Sequence, residues 1–303
     1  MVDLKYIKLI LVPIFWGSSF VAVRAIAFHI SPFTAAFFRF LFASLFLLGL
    51  SFTKHGSLPN PGKKHYAILV FLGLTGIFSY NYFFFSGLKI ISAGRATVIV
   101  AFTPALVSVF STIMFRERLT VIKIVGLFMA LAGTLWVVSK GNPGSILKVN
   151  IGKGELYIFG CVVSWTLYSL IGKIALRELT PLTAITYSCL IGMVALILPA
   201  FIEGGFSSAG DYPLIVWIYF VYLGVFTAAL AFIWYYEGIQ KIGPTRSAVF
   251  INMVPLWGIV LGIVFLGEEA SAILFLGAIL VIVGVYLTNK PTTARVKQKK
   301  IGN

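Results

Sequence analysis

The chain contains nearly the same passage twice. Residues 16–35 read WGSSFVAVRAIAFHISPFTA and residues 165–184 read WTLYSLIGKIALRELTPLTA. They align without a gap at a shift of 149 residues, pairing Trp16 with Trp165, Arg24 with Lys173, Pro32 with Pro181 and Thr34 with Thr183. Farther on, residues 87–133 match 238–284 at a shift of 151, so that Arg95 pairs with Arg246, Pro104 with Pro255, Glu117 with Glu268 and Gly126 with Gly277. A duplicated unit restricts the fold to arrangements in which two copies meet, and in membrane proteins the working site lies at that seam.

The membrane follows from composition. Hydrophobic residues make up 59% of the chain and charged residues 11%, which excludes an ordinary soluble domain. Apolar runs of roughly 20 residues, each able to cross a hydrocarbon core of about 30 Å as a helix, recur from end to end. Loop signals divide them into ten spans, near 6–28, 33–52, 66–88, 94–115 and 120–139, then 155–176, 182–202, 213–238, 244–266 and 270–289. The first apolar run leads straight into the repeat, so it is expected to belong to the mature fold rather than to a cleaved signal. The predicted architecture is an all-α integral membrane protein with a first five-helix repeat over 1–149, a second over 150–290 and a basic tail over 291–303.

Five is an odd number, so the second copy must enter the membrane from the opposite side. This makes an inverted-topology repeat. With a cytoplasmic N-terminus, 17 of the 24 basic residues fall inside, including Lys54, Lys63, Lys64, Arg116, Arg118, Lys173, Arg177, Lys241 and the tail lysines. Equivalent loops have opposite character: Lys54, Lys63 and Lys64 follow the second span, whereas Glu203 and Asp211 follow the seventh. Both termini are expected to be cytoplasmic. The formal charge of +15 sits in short loops and the tail, where it reads as topology signal and contact with anionic lipid rather than nucleic-acid binding. Cys161 and Cys189 lie inside apolar spans and read as packing residues.

The segments FWGSSFVAVRAI, SPFTAAFFRFLFA, TPALVSVFSTIMFRERLT and IGPTRSAVFINMVPLWGIVLGIVFLGEE, with the glycine-spaced closing spans 121–139 and 271–288, resemble EamA-type members of the drug/metabolite transporter superfamily. The resemblance covers 6–289. It implies a ten-helix inverted-repeat carrier of small metabolites such as amino acids, sugars, nucleotide sugars or sugar phosphates, and an inner-membrane exporter in bacteria. The smaller four-helix exporters of that superfamily use a glutamate in their first span. The equivalent IFWGSSFVAV has none, so that proton-exchange mechanism lacks its residue here. The nine acidic residues lie in loops or near span ends, Glu155 and Glu237 being closest to the membrane. This leaves facilitated transport or coupling through peripheral groups such as Glu237.

Candidate site residues come from helical spacing and from the cost of burying polar groups. Trp16, Ser19 and Val23 share one face of the first span, and Trp165, Tyr168 and Gly172 the matching face of the sixth. Both tryptophans sit near mid-depth, which favours an aromatic cavity over an interfacial belt. Tyr80 in the third span and Trp234 in the eighth are further candidates, and the Asn81 and Asn252 amides, costly in hydrocarbon, should face protein or water, as cavity lining or as helix–helix hydrogen bonds. Pro104 and Pro255 interrupt equivalent spans and would free carbonyls on Val100 and Ile251, acting as hinges or as plain kinks. Arg39, about 10 Å into the second span, either snorkels to the interface or holds an anionic substrate group. Arg95 and Arg246 open the fourth and ninth spans against the helix dipole, as gates or as headgroup contacts. The repeat mismatches Ser19 against Tyr168, Arg39 against Ser188 and Ala101 against Asn252 are where a substrate is expected to be read.

An enzyme fits poorly. His29, His55 and His65 lie in loops or at span ends and make no metal-ligand motif; paired membrane aspartates, a buried serine–histidine pair and a nucleotide-binding glycine loop are missing. No cofactor or metal is expected. The sequence therefore points to a secondary transporter working by alternating access, with a small-molecule substrate, amino acids first, exported through the lipid bilayer. Spans 5 and 10, with Gly126/Gly133 and Gly277/Gly284, are expected to pack peripherally or in a homodimer. The alternatives are an importer of a phosphorylated or anionic metabolite using Arg39, Arg95 and Arg246, a non-transporting scaffold, or an intramembrane enzyme.

Overall fold

The computed structural model describes residues 4–114, 121–139, 141–142, 152–242, 247, 250–251, 253–269 and 271–289. Arg246 and Asn252, with Arg116, Glu117, Arg118 and the tail, lie outside the described residues. Ten apolar helical stretches follow one another: α1 (Leu4–Ile26), α2 (Pro32–His55), α3 (Lys63–Leu88), α4 (Ala93–Val100 continued by Thr103–Met114), α5 (Val121–Val138), α6 (Lys153–Ala175), α7 (Pro181–Ile202), α8 (Leu214–Lys241), α9 (Val254–Leu266) and α10 (Ala272–Asn289). Among the described residues seven of these are long and apolar enough to cross a membrane; α5, α9 and α10 are apolar but shorter.

The loop chemistry that divided the sequence also ends the helices. Pro32 and Pro181 open α2 and α7 at the first turn, where a missing N–H costs nothing. Thr180 accepts from the Thr183 N–H (3.2 Å) and Ser92 from the Arg95 N–H (3.3 Å), satisfying donors that a helix start leaves free. Gly56 closes α2 at φ 69°, its N–H donating to the Phe52 carbonyl.

Contacts between the two repeats come in symmetry-related pairs. Helix α1 packs on α9 as α6 packs on α4; α1 meets α8 as α6 meets α3; α2 meets α8 as α7 meets α3; and α2·α7, α4·α9 and α5·α10 are self-paired. The halves therefore interleave about a pseudo-twofold axis instead of folding side by side. Helices α5 and α10 consume their glycines on each other: a Cβ at Gly133 would lie 2.7 Å from the Gly277 carbonyl, and one at Gly284 would lie 2.6 Å from the Gly126 carbonyl. Close backbone approach within one chain thus accounts for this stripe of small residues.

One feature was not legible in the sequence. Helix α3 widens to π-helical turns over Gly73–Ser79, and α8 does so over Leu223–Leu230. These stretches are repeat-equivalent. A π turn leaves backbone groups out of the ordinary ladder and marks functional positions in helices.

Candidate functional site

A chamber with about 480 Å³ of atom-free space, part of it continuous with solvent, lies where the two repeats meet. Its walls are built from equivalent pairs: Trp16 with Trp165, Val100 with Ile251, and Thr103 with Val254. The rings interlock, both edge to face and stacked. Trp16 and Trp165 are 5.4 Å apart at 81°, Trp165 meets Phe232 at 5.1 Å and Tyr80 at 5.2 Å, and Tyr80 stacks on Phe84 at 5.6 Å. The Trp16 Nε1–H donates to the Thr227 carbonyl (3.1 Å) inside the α8 π stretch, which fixes the indole. Such geometry presents flat apolar faces with few polar groups, the character of a small-molecule site.

A second, narrow hollow, with about 410 Å³ of atom-free space that includes open solvent, shares Thr103, Trp165 and Ile251 with the first and runs on past Ser169 to Ser111, Lys173 and Ile239. The Thr103 and Ser169 hydroxyls are buried without a hydrogen-bond partner along this path. The path heads toward the end of the bundle where α4, α6 and α8 finish.

The other end is tied across the repeats. The Glu268 carboxylate accepts from the Ala93 (2.7 Å) and Gly94 (3.0 Å) N–H groups, a negative charge at the positive end of the α4 dipole. Arg95, on the same turn, pairs with Glu155 at 2.7 Å. The dipole penalty anticipated for Arg95 is thus offset by two carboxylates of the second repeat. Nearby, the Thr34 N–H donates to Glu203 (2.9 Å) and Arg24 donates to the Leu88 carbonyl. At the opposite end Lys8 pairs with Glu237 (2.8 Å), and Lys64 and His65 pair with Glu178. These partners sit at common ends, as five crossings per repeat require.

Arg39 does not snorkel. It is 3% exposed and lines the chamber, its Nη1 donating to Asn81 Oδ1 and its Nη2 to Thr227 Oγ1, both at 3.0 Å. The two acceptors are themselves held by the π stretches: Asn81 Nδ2 donates to the Ile77 carbonyl (2.8 Å), and the Thr227 hydroxyl to the Leu223 carbonyl (2.7 Å). The widened turns therefore supply the carbonyls that aim two neutral oxygens at the guanidinium.

Of the candidate residues, Trp16, Ser19, Arg39, Tyr80 and Trp165 meet at the chamber. Asn81 stands behind Arg39. Tyr168 is fully buried beneath Trp165, 5.1 Å ring to ring, and lines neither hollow. Trp234 points the other way, half-buried against Phe15 at 5.9 Å; its helix turns Phe232 and Tyr235 inward instead. Single-residue polarity misread that face, and spacing three apart from Phe232 would have found it. Glu237 also lies off the path. The prolines do not interrupt continuous helices. Each follows a break and sits in the first turn of the new segment, where proline is accommodated. The breaks have one hydrogen-bond pattern: Phe102 N–H to Ile99 and Leu106 N–H to Phe102 in α4, Met253 N–H to Phe250 and Trp257 N–H to Met253 in α9. Among the described residues no cluster of His, Cys, Asp and Glu could hold a metal ion.

The EamA-like transporter family matches this chain twice, over residues 4–139 and 152–290. An uncharacterized transporter, YyaM, of Bacillus subtilis is 32% identical, the match covering 92% of each chain. An uncharacterized transporter of Archaeoglobus fulgidus is 30% identical over 93% of this chain and 98% of its own. A probable terminal-alkyne amino-acid exporter of Streptantibioticus cattleyicolor is 25% identical over 78% of this chain and 77% of its own. A crystal structure of a protein 19% identical superposes with a TM-score of 0.67, covering 94% of this chain and 96% of that one, and so shares the fold.

Proposed function

The chain belongs to the EamA-like transporter family and is a membrane transporter rather than an enzyme; from that premise we propose that it exports a small amphipathic metabolite, amino acids first, across the bacterial inner membrane by alternating access. One observation carries this reading: an aromatic chamber on the pseudo-twofold axis, with a path toward one end and cross-repeat ties at the other. The substrate lies against Trp16, Tyr80, Trp165 and Phe232. The excess of Lys and Arg supports a cytoplasmic Lys173 end; on that reading the state described here faces inward and the Arg95–Glu155 and Glu268 contacts form the outer gate. The breaks before Pro104 and Pro255 are the hinges. The amino-acid preference draws on the Streptantibioticus relative.

Trp16→Ala and Trp165→Ala should each lower transport by about tenfold or more while membrane insertion is retained. Metabolite profiling of cells with and without the protein selects the substrate, and flux into proteoliposomes measures it. Unchanged kinetics in both variants would sink the chamber assignment. A cysteine placed at Asn60 should be shielded from a membrane-impermeant label in intact cells, and one at Ser207 should react; the reverse pattern overturns the orientation.

A further inference from the structure

We propose that Arg39 is the receptor for a carboxylate on the transported molecule. The proposal rests on the reading of the chamber as the substrate site. Among the described residues that line the chamber Arg39 is the only charged one, and it is 3% exposed. Its two terminal nitrogens meet neutral oxygens and its Nε has no partner. Of the described carboxylates, Glu155, Glu203 and Glu268 are engaged at one end of the bundle and Glu178 and Glu237 at the other, while Asp211 and Glu269 lie in the segments between helices and do not line the chamber. Neutral acceptors satisfy hydrogen bonds but leave the positive charge uncompensated, and a buried ion without a counter-charge is strongly disfavoured. A substrate that brings the missing negative charge removes that penalty on binding.

The fold supplies its own control. Gly224 of α8 packs on the Arg39 backbone, with a Cβ there 2.6 Å from the Arg39 carbonyl. Gly73 of α3 packs in the same way on Ser188, 3.0 Å from its carbonyl. Helix packing of this type therefore forms just as well around a serine, and the arginine is not required to build it. Two hydrogen bonds hold the guanidinium, to Asn81 Oδ1 and Thr227 Oγ1, both pinned by the π stretches, and the Phe40 and Phe84 rings lie 5.6 and 5.7 Å from its central carbon, so the charge is positioned before any ligand arrives. One cation matches one negative charge, which selects a carboxylate over a phosphate dianion. The Thr103 hydroxyl offers a second polar contact, and the rings take the remainder.

The test uses full-length protein in nanodiscs, with quenching of tryptophan emission and ligand-induced thermal stabilisation as readouts. The probes are small amino acids and 2-oxo acids, among them leucine and 4-methyl-2-oxopentanoate, each beside its amide. The acids should bind at least ~10-fold more tightly than the amides, as expected for a charge-assisted hydrogen bond. Arg39→Gln keeps donors for Asn81 and Thr227 and should lose that preference; Arg39→Lys should restore part of it. Should the Gln variant fail to fold, the acid–amide comparison on the unaltered protein and the Lys variant still decide. Equal binding of acid and amide, acid affinity within twofold in a folded Gln variant, no response to any carboxylate, or tighter binding of a phosphomonoester would each overturn the proposal. If amides or amines bind and Trp16→Ala abolishes their binding, the chamber reading stands and only the role of Arg39 falls.

Discussion

The two sides of the pseudo-twofold axis share a backbone and differ in chemistry. On one side α8 crosses α2 with Gly224 against Arg39; on the other α3 crosses α7 with Gly73 against Ser188. Around Arg39 stand Asn81 and Thr227. At the equivalent places around Ser188 stand Phe232 and Gly76. Gly76 leaves room for the Tyr168 ring, which fills the space that remains open beside Ser19 on the other side. The Ser188 hydroxyl donates to the Ile185 carbonyl of its own helix (3.1 Å). Duplication thus made the scaffold symmetric, and a few substitutions made one side a polar pocket and the other a packed wall. Inverted repeats need equivalent hinges and crossings to open alternately to each face. They do not need two equivalent binding groups.

The largest break in this comparison should come from Ser188→Arg. It would bury a second cation against an apolar wall with neither Asn nor Thr to receive it, at a cost of about 3–5 kcal/mol. Loss of folded protein in detergent should follow; a variant as stable as the parent would mean the second side is not closed. Next come the glycine crossings. Gly73→Ala and Gly224→Ala should each destabilise by about 1–3 kcal/mol through overpacking, and by similar amounts. Unfolding midpoints that differ widely would refute backbone symmetry. Thr227→Ala should cost about 1–2 kcal/mol by leaving an Arg39 N–H unsatisfied and should weaken carboxylate binding, whereas Gly76→Ser should act through the Tyr168 ring and leave charge preference unchanged. The smallest effect lies in the loops. Lys64, helped by His65, holds the exposed Glu178 carboxyl below its ordinary range. A carboxylate with a lowered pKa contributes stability above its unfolded value, about 4.3, and loses it as pH falls through the folded one. Glu178→Gln should therefore abolish a slight stability loss seen only below about pH 4, with no effect at neutral pH.

Much of this was legible in the sequence because it depends on local rules. Apolar length sets the helices, and Ser-Pro, Thr-Pro and glycine signals set their ends. Ungapped matching exposed the repeat. Trp16 and Trp165 could be placed together because spacing and symmetry both pointed there. Trp234 was misplaced and Phe232 overlooked because an aromatic residue on an apolar helix looks the same whether it faces protein, cavity or lipid. The paired π stretches left no periodic trace, since one extra residue in a turn does not disturb an already apolar run.

By itself, then, the sequence determined the class, the ten apolar helices, the repeat and the pairs to examine, for these follow from hydrophobicity, turn chemistry and ungapped matching. The tertiary structure alone decided what Arg39 is. Within one helix it could equally have reached the interface. Packed between α3 and α8 it is enclosed, aimed by Asn81 and Thr227, and has no carboxylate partner among the described residues, because a counter-charge is a property of neighbours distant in the chain.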